Sequence, residues 1–487
     1  MRPSIRAAFG WLDRRLDLAG LRRALLDREV PDRLTWWHTL GSATLAVFFV
    51  QVTTGLVLAT FYAPSPDHAY QSVQYIDRAV LGGRLLRGMH HWSASAMVVL
   101  VLAHAVRVFT MGAYKYPREV NWLLGLGLLF VVLGFSFTGY LLPWDAKAYW
   151  ATQVGTGIAG TTPVIGGWLV TLLRGGNELG AATMTRFYAF HVLWLPAALV
   201  ALMLPHLALV IRQGIAPRPR ALEEGAPPRT SDPAYAEYYR SNYAATKQRG
   251  IRFWPDVIAK DSVVAALTIA VVIALALLLP PHLEGPADPT DVRYVPKPEW
   301  YFLPLYQLLK LVPGRMESLV AVGVPSALLI VLLALPFFDR NSARNVLRRP
   351  VALLGLAVIL GGSGLLLGAA LRDRSNASPA EVGRPLTDIE MAGRAMFQTQ
   401  QCGSCHKVGS QGTSNEGPDI TTIGLKHSSA WMHSYIENPK RFHPESKMPR
   451  FGYPKLSHQE IEEIAQYLAS LRGSNPAAQP QVHDTFP

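Results

Sequence analysis

Cysteine is nearly absent from this chain. Two cysteines in 487 residues leave no thiols for a disulfide framework, for a multi-cysteine zinc cluster or for an iron–sulfur centre. Acidic residues are scarce as well: 34 Asp and Glu stand against 46 Lys and Arg, a net charge of +12. The excess sits beside long apolar runs, where Lys and Arg anchor membrane helices, so the charge does not call for nucleic acid. A cleavable signal peptide is also missing from view. The first 34 residues are rich in Arg and lack an apolar core, so the first membrane helix is expected to direct insertion.

Apolar sequence fills the chain instead. Half of its residues are hydrophobic, and several runs approach the twenty or so residues that cross a bilayer core about 30 Å thick. A length of 487 residues exceeds one domain. The expected fold class is all-α: a polytopic bundle of seven spans with a small all-α domain at the carboxy end. The spans are expected near 36–61, 87–110, 121–142, 187–211, 261–280, 317–337 and 350–371. Pro196 and Pro205 are expected to interrupt the fourth. Before the first span, residues 9–29 place leucines on one side and arginines on the other, as a helix lying on a membrane surface does. The amino terminus, the 107–120 connection, a long polar Pro- and Arg-rich loop after Arg212 and the 339–349 segment carry the basic residues. With seven spans these four fall on one side, which is cytoplasmic by the positive-inside rule, and the carboxy terminus lies outside.

Histidines in two of these apolar stretches carry the chemistry. RGMHHWSASAMVVLVLAHAVR holds His90, His91 and His104, and FYAFHVLWLPAALVALMLPHLALVIR holds His191 and His206. Ionisable groups inside a membrane helix are costly and mark function. From His90 to His104 the helix rises roughly 21 Å and turns back to within about 40°. His91 would stand about 140° from His104, on another face. His191 and His206 are about 60° apart. Four histidines in matching register on two helices fit two bis-imidazole haems stacked across the bilayer better than four separate hydrogen-bonded core histidines. Gly41 and Gly55 on the first span, and Gly125 and Gly139 on the third, repeat the spacing of fourteen. Glycine admits a close neighbour, here a porphyrin edge; small-residue helix packing is the competing account. Arg87 and Arg107 are expected to pair haem propionates, and Arg212 does so or anchors a helix end.

Both cysteines, Cys402 and Cys405, fall in one CxxCH, the pattern of c-type haem attachment, with His406 as an axial ligand. A zinc or redox pair is disfavoured because no second ligand pair exists. Met448 is the expected sixth ligand, ahead of Met432, His433 and His443. Thr387 with Glu390 and Ser457 with Glu460 form capping boxes that start helices of this domain. The organisation read from this is an amphipathic segment at 1–34, a four-helix dihaem domain at 35–212, a cytoplasmic loop at 213–260, a three-helix domain at 261–372, a linker at 373–386, the c-type domain at 387–473 and a disordered tail at 474–487.

RGMHHWSAS with AHAVR, YKYPREVNW, GYLLPWD, TPVIG, LLRGGNELG and PEWYFLPLYQLLK occur in order. Together they resemble the cytochrome b family of quinol–cytochrome c reductases, most closely the chloroplast and cyanobacterial form. In that form the amino-terminal four helices and the carboxy-terminal three are separate chains; here they are fused. The carboxy-terminal domain is similar to small class I c-type cytochromes. The resemblance implies that His90 and His191 ligate the outer b haem and His104 and His206 the cytoplasmic one. It implies that Pro298 to Tyr301 border a quinol-oxidation site, with Glu299 and Tyr301 acting there and Glu299 taking a proton at a raised pKa. Lys260 and Asp261 resemble residues of a quinone-reduction site. Where the chloroplast-type relative attaches an extra haem through a Cys, this chain has Thr39, so that haem is expected to be absent.

The resulting expectation is a cytochrome b/c fusion subunit of a proton-translocating quinol:cytochrome c oxidoreductase. It would sit in a bacterial cytoplasmic membrane, in a homodimeric complex, with a Rieske iron–sulfur protein as partner, membrane quinone as substrate, and a cytochrome c or terminal oxidase downstream. A non-bifurcating dihaem anchor is the alternative, and it needs no PEWY; a haem-bearing sensor or transporter needs a signalling domain or ligand pocket that the sequence does not display. Four in-register histidines and one CxxCH predict two extractable b haems and one covalent c haem per chain. A pyridine haemochrome assay after acid–acetone extraction checks this, and a ratio of b to c near one to one overturns it.

Overall fold

The computed structural model describes residues 3–31, 34–176, 178–289, 297–312, 314–372, 386–408, 411–412, 417–472, 484 and 486. The expected linker and most of the expected tail lie outside these residues.

Among the described residues seven helices are long and apolar enough to cross a membrane: α1 (Trp36–Ala59), α2 (Gly83–Thr110), α3 (Glu119–Leu141), α4 (Ala181–Gln213), α5 (Phe253–Leu278), α6 (Met316–Phe338) and α7 (Pro350–Arg372). A helix is the form that satisfies every backbone amide inside its own segment, which lipid demands. Side chains such as Phe49, Leu56 and Leu267 point outward and are exposed, as on a lipid-facing surface. The prolines of α4 do not break it. Its regular turns give way to a π-turn at Phe190–Trp194, just ahead of Pro196, and Pro205 lies within continuous helix. In the π-turn Leu195 N–H donates to the Phe190 carbonyl, five residues back, a shift from the α-helical pattern just where Pro196 supplies no N–H.

The chain divides into two compact units. The first holds Met1–Thr156, Gly167–Pro286 and Ser326–Leu360; the second holds Gly157–Gly166, Ala287–Pro325 and Gly361–Pro487. In the first unit α2 packs closely on α5. A Cβ on Gly88 would stand 3.0 Å from the Cβ of Ala276, so small residues bring these two backbones together. The amino-terminal segment departs from expectation. Two helices, Pro3–Leu16 and Leu18–Leu25, break at Asp17, whose backbone is left-handed and whose carboxylate accepts from the Gly20 amide. Glu29–Val30 then pairs antiparallel with Ile251–Arg252.

The polar loop after Arg212 contains a helix, Pro233–Gln248, opened by Asp232 with Pro at the first position. Tyr235, Tyr239 and Tyr243 fall on one face of it. Tyr235 and Tyr239 are buried, and the basic loops close over them. The Arg118 guanidinium donates to Tyr239 at 2.6 Å, and Arg344 donates to Tyr235 and to the carbonyls of Gly112 and Tyr116. Asp339 is the centre of the network. It accepts from Tyr114, from Lys115 Nζ at 2.8 Å and from Arg349 at 3.2 Å. Burial alone would raise the Asp339 pKa, but the hydrogen bonds of Lys115 and Tyr114 and the charges of Lys115 and Arg349 hold it below the usual carboxylate range. Burial brings the Lys115 ammonium down to about 8 against the pull of Asp339. The basic residues that signal topology are thus also structural.

In the second unit, the carboxy-terminal domain is built from α8 (Asp388–Thr399), α9 (Ser429–Glu437) and α10 (His458–Ser470) around one apolar cluster. Both capping boxes form: Thr387 N–H donates to Glu390 at 2.8 Å and Ser457 N–H to Glu460 at 2.7 Å.

Replacing Asp339 by Ala leaves Lys115 and Arg349 buried side by side without their carboxylate. The expected cost is about 3–5 kcal/mol, read as a lowered thermal midpoint of the detergent-purified protein by circular dichroism. An unchanged midpoint would show that the network adds nothing to stability.

Candidate functional site

Each of the four register histidines faces one of the four register glycines. A Cβ on Gly55 of α1 would lie 3.1 Å from His90 Cε1, and one on Gly139 of α3 would lie 2.6 Å from His191 Cε1. Gly41 faces His104 at 3.3 Å and Gly125 faces His206 at 3.6 Å in the same sense. The glycines therefore make room for imidazoles that α2 and α4 present between the helices.

Threonines set the tautomer of the His90–His191 pair. Thr54 Oγ1 lies 2.9 Å from His90 Nδ1 and donates its own proton to the Val50 carbonyl at 2.7 Å. Thr138 Oγ1 lies 3.1 Å from His191 Nδ1 and donates to the Gly134 carbonyl at 2.8 Å. A hydroxyl whose proton is committed must accept, so Nδ1–H donates in both rings and each Nε2 keeps its lone pair for a metal. The rings of His90 and His191 stand 6.3 Å apart between centroids. Imidazole–metal bonds of about 2.0–2.1 Å, with about 1.1 Å more from nitrogen to ring centre, put two axial imidazoles about 6.3 Å apart. The pair fits one shared iron. His91 leaves this face, as its register predicts, and its ring meets Trp92 edge-on at 5.3 Å.

The second pair opens on a cavity of about 480 Å³, the size of a cofactor site. His104 and His206 line it, and His104 Nδ1 is buried without a hydrogen-bond partner among the described residues. Arg107 lies beside them, its Nε and Nη2 buried and likewise unpartnered, which suits the carboxylates of a porphyrin. Arg87 does not match the same expectation. Its Nε and Nη2 each donate to Asp77 at 2.6 Å and Nη2 also reaches the Pro281 carbonyl, so it ties α2 to the short helix Ala69–Arg78 and to the segment after α5.

Lys260 and Asp261 line this cavity too, and Asp261 accepts from Ser42 at 2.8 Å. Thr39 borders the cavity, its hydroxyl donating to the Trp36 carbonyl at 2.7 Å. Sequence reading passed over His38 and Arg28, which also line it. His38 Nδ1 is held at the Thr35 hydroxyl, 3.0 Å away, and Arg28 lies over the Phe253 ring. The available signal was a histidine one residue from Thr39, at the very start of an apolar run.

The second unit carries the remaining candidates. Glu299 O accepts from Phe302 N–H at 2.9 Å, so PEWY forms a turn that leads into the helix Leu303–Lys310. The Trp300 and Tyr301 rings meet edge-on at 5.3 Å. In the carboxy-terminal domain Cys402–Ser404 is a single 3-10 turn. His406 Nδ1–H donates to the Pro418 carbonyl at 3.1 Å and leaves Nε2 free to ligate. A Cβ on Gly417 would stand 2.6 Å from His406 Cε1, the same glycine–imidazole device as in the bundle. Burial pushes the Cys402 thiol up to about 11, which favours the protonated form over a thiolate ligand. Cys402 and Met448 pack against one apolar cluster. The other candidates for sixth ligand are engaged elsewhere. Met432 is in the core, His433 is bonded to Glu462, and the His443 ring meets Tyr435.

Comparisons with known proteins agree with this division. The cytochrome b/b6/petB family model matches residues 25–214, the cytochrome b(C-terminal)/b6/petD model residues 286–378 and the cytochrome c model residues 390–472. A menaquinol:cytochrome c reductase cytochrome b subunit of Bacillus subtilis (strain 168) is 46% identical over 215 residues, 42% of this chain and 96% of that protein. A cytochrome bc complex cytochrome b subunit of Chlorobaculum thiosulfatiphilum is 33% identical over 356 residues, 72% of this chain and 78% of that protein. A solved hyperthermophilic respiratory Complex III matches with a TM-score of 0.64 at 26% identity, covering 81% of this chain and 96% of its own.

A methyl group at Gly139 meets His191 inside van der Waals contact. Gly139→Ala is expected to abolish the absorbance of one b-type centre while the c-type spectrum persists. Full retention of b-type absorbance would show that the ring has room to move.

Proposed function

The chain belongs to the cytochrome b family of cytochrome bc complexes, with a c-type cytochrome domain fused to it, and on that premise we propose that it oxidises membrane quinol and passes the electrons to its own c-type centre. Bound b-type and c-type haems supply one-electron transfer in such a protein. The observation that carries the reading is the set of four glycine–histidine pairs, with the Nε2 atoms of His90 and His191 free to share one metal. His90 and His191 would hold the outer b haem, His104 and His206 the cytoplasmic one, and Cys402, Cys405, His406 and Met448 the c haem.

The chain's residues account for binding and proton movement. Glu299 and Tyr301 lie in a turn at the outer site, where Glu299 accepts a proton from quinol. Lys260 and Asp261 border the inner cavity, where they orient a quinone and supply protons to it. Two cysteines in one CxxCH leave none for an iron–sulfur centre, so a Rieske protein comes from a partner subunit. This reading has protons released outside and taken up on the cytoplasmic side of a bacterial membrane, in a dimeric complex. It also favours quinol oxidation over a simple dihaem anchor, since an anchor uses no PEWY element.

Glu299→Gln keeps the shape and hydrogen bonding of the side chain and removes its proton acceptance. Quinol-driven reduction of the c-type centre is expected to fall about 10- to 1000-fold, with b and c absorbance intact. Near-normal turnover would make Glu299 a bystander; lost b-type absorbance would make it structural.

A further inference from the structure

Away from the haem-binding residues, the carboxy-terminal domain brings together a second group of side chains that can ligate a metal. His433 and Glu437 stand four residues apart on α9, hence on one face. His458 is the first residue of α10. His433 Nε2 lies 3.3 Å from His458 Nδ1, and His458 Nε2 lies 3.9 Å from Glu437 Oε1. One ligand atom from each of the three can be chosen with all three within 4.8 Å of one another.

A further carboxylate orients the group. Glu462 Oε2 lies 2.9 Å from His433 Nδ1. The carboxylate accepts from Nδ1–H, so the Nε2 lone pair of His433 points at His458. This is the outer carboxylate that commonly fixes a metal-binding imidazole. Two ligands bound at about 2.0–2.1 Å around a tetrahedral ion stand about 3.3–3.4 Å apart, which the two histidine nitrogens already match.

We propose that His433, Glu437 and His458 form a binding site for a divalent transition metal of the zinc type, with Glu462 positioning His433. Two imidazoles and one carboxylate are a zinc ligand set with a fourth position left for water. They are a poor set for calcium or magnesium, which take mainly oxygen. His458 and Glu437 are accessible from solvent, with side-chain exposures of 77% and 36%, so the ion has an entry path.

The site sits at a structural junction. Glu437 ends α9 and His458 begins α10, and everything between them, residues 438–457, is the segment that carries Met448. A bound ion would tie the two ends of that segment together and restrict its departure from the domain. This effect on Met448 rests on the haem-ligand reading above; metal binding itself does not.

The test uses the full chain, without a polyhistidine tag, treated with EDTA and titrated with zinc chloride by isothermal calorimetry. Wild type is expected to bind one zinc ion that His458→Ala weakens at least 10-fold and Glu462→Gln weakens about 10- to 100-fold. X-ray absorption at the zinc edge is expected to report two imidazoles. The c-type spectrum checks folding, and His458→Gln replaces His458→Ala if that spectrum is lost. No zinc binding by wild type, or equal binding by the His458 variant, overturns the site. If zinc binds as stated but does not slow displacement of the sixth haem ligand by an added imidazole, the site stands and its coupling to the Met448 segment fails.

Discussion

The membrane bundle is organised by a steric exchange between glycine and histidine. An imidazole needs space beside a helix that ordinary side chains would fill, and Gly41, Gly55, Gly125 and Gly139 leave that space opposite four such rings. The exchange fixes more than distance. It sets the relative rotation of α1 against α2 and of α3 against α4, because any other rotation would bring a side chain to the ring. The threonines at 54 and 138 stand next to two of these glycines and use the same register to point each Nε2 into the bundle. At His90 and His191, packing and ligand orientation are therefore one constraint.

A similar economy appears in the carboxy-terminal domain. There Gly417 lies against His406, and the Pro418 carbonyl plays the part of the threonine hydroxyl. The two halves of the chain have unrelated folds, yet both orient an imidazole with a small residue on one edge and a hydrogen bond at Nδ1.

Much of this was legible in the sequence, because periodicity carries it. Seven apolar runs gave seven helices, and spacings of fourteen and fifteen placed the histidines and glycines on facing surfaces. Less was legible where the deciding partner is distant in sequence. Arg87 reads as a partner for haem propionates, while in the fold Asp77 and Pro281 take its donors. His38 reads as an incidental residue until the cavity reaches it. Helix Pro233–Gln248 sat inside a stretch dominated by Pro and Arg, and its tyrosines at 235, 239 and 243 were a helical signal in residues more often counted as neutral. The prolines of α4 misled for a different reason: proline rules describe an α-helix, and the π-turn at Phe190–Trp194 relaxes them.

The Asp339 network joins residues far apart in time as well as in sequence. Lys115 precedes its carboxylate partner by 224 positions, which a ribosome covers in roughly 10–45 seconds. Through that interval Lys115 has no carboxylate partner, and α3 to α6 are made before Asp339 follows them. A single reading frame guarantees that the missing carboxylate arrives on the same molecule, next in line and in equal number. Where the halves are made as separate chains, their amounts must be matched and the second half must find the first by diffusion. Fusion thus turns an assembly problem between chains into an ordered step of one chain's synthesis.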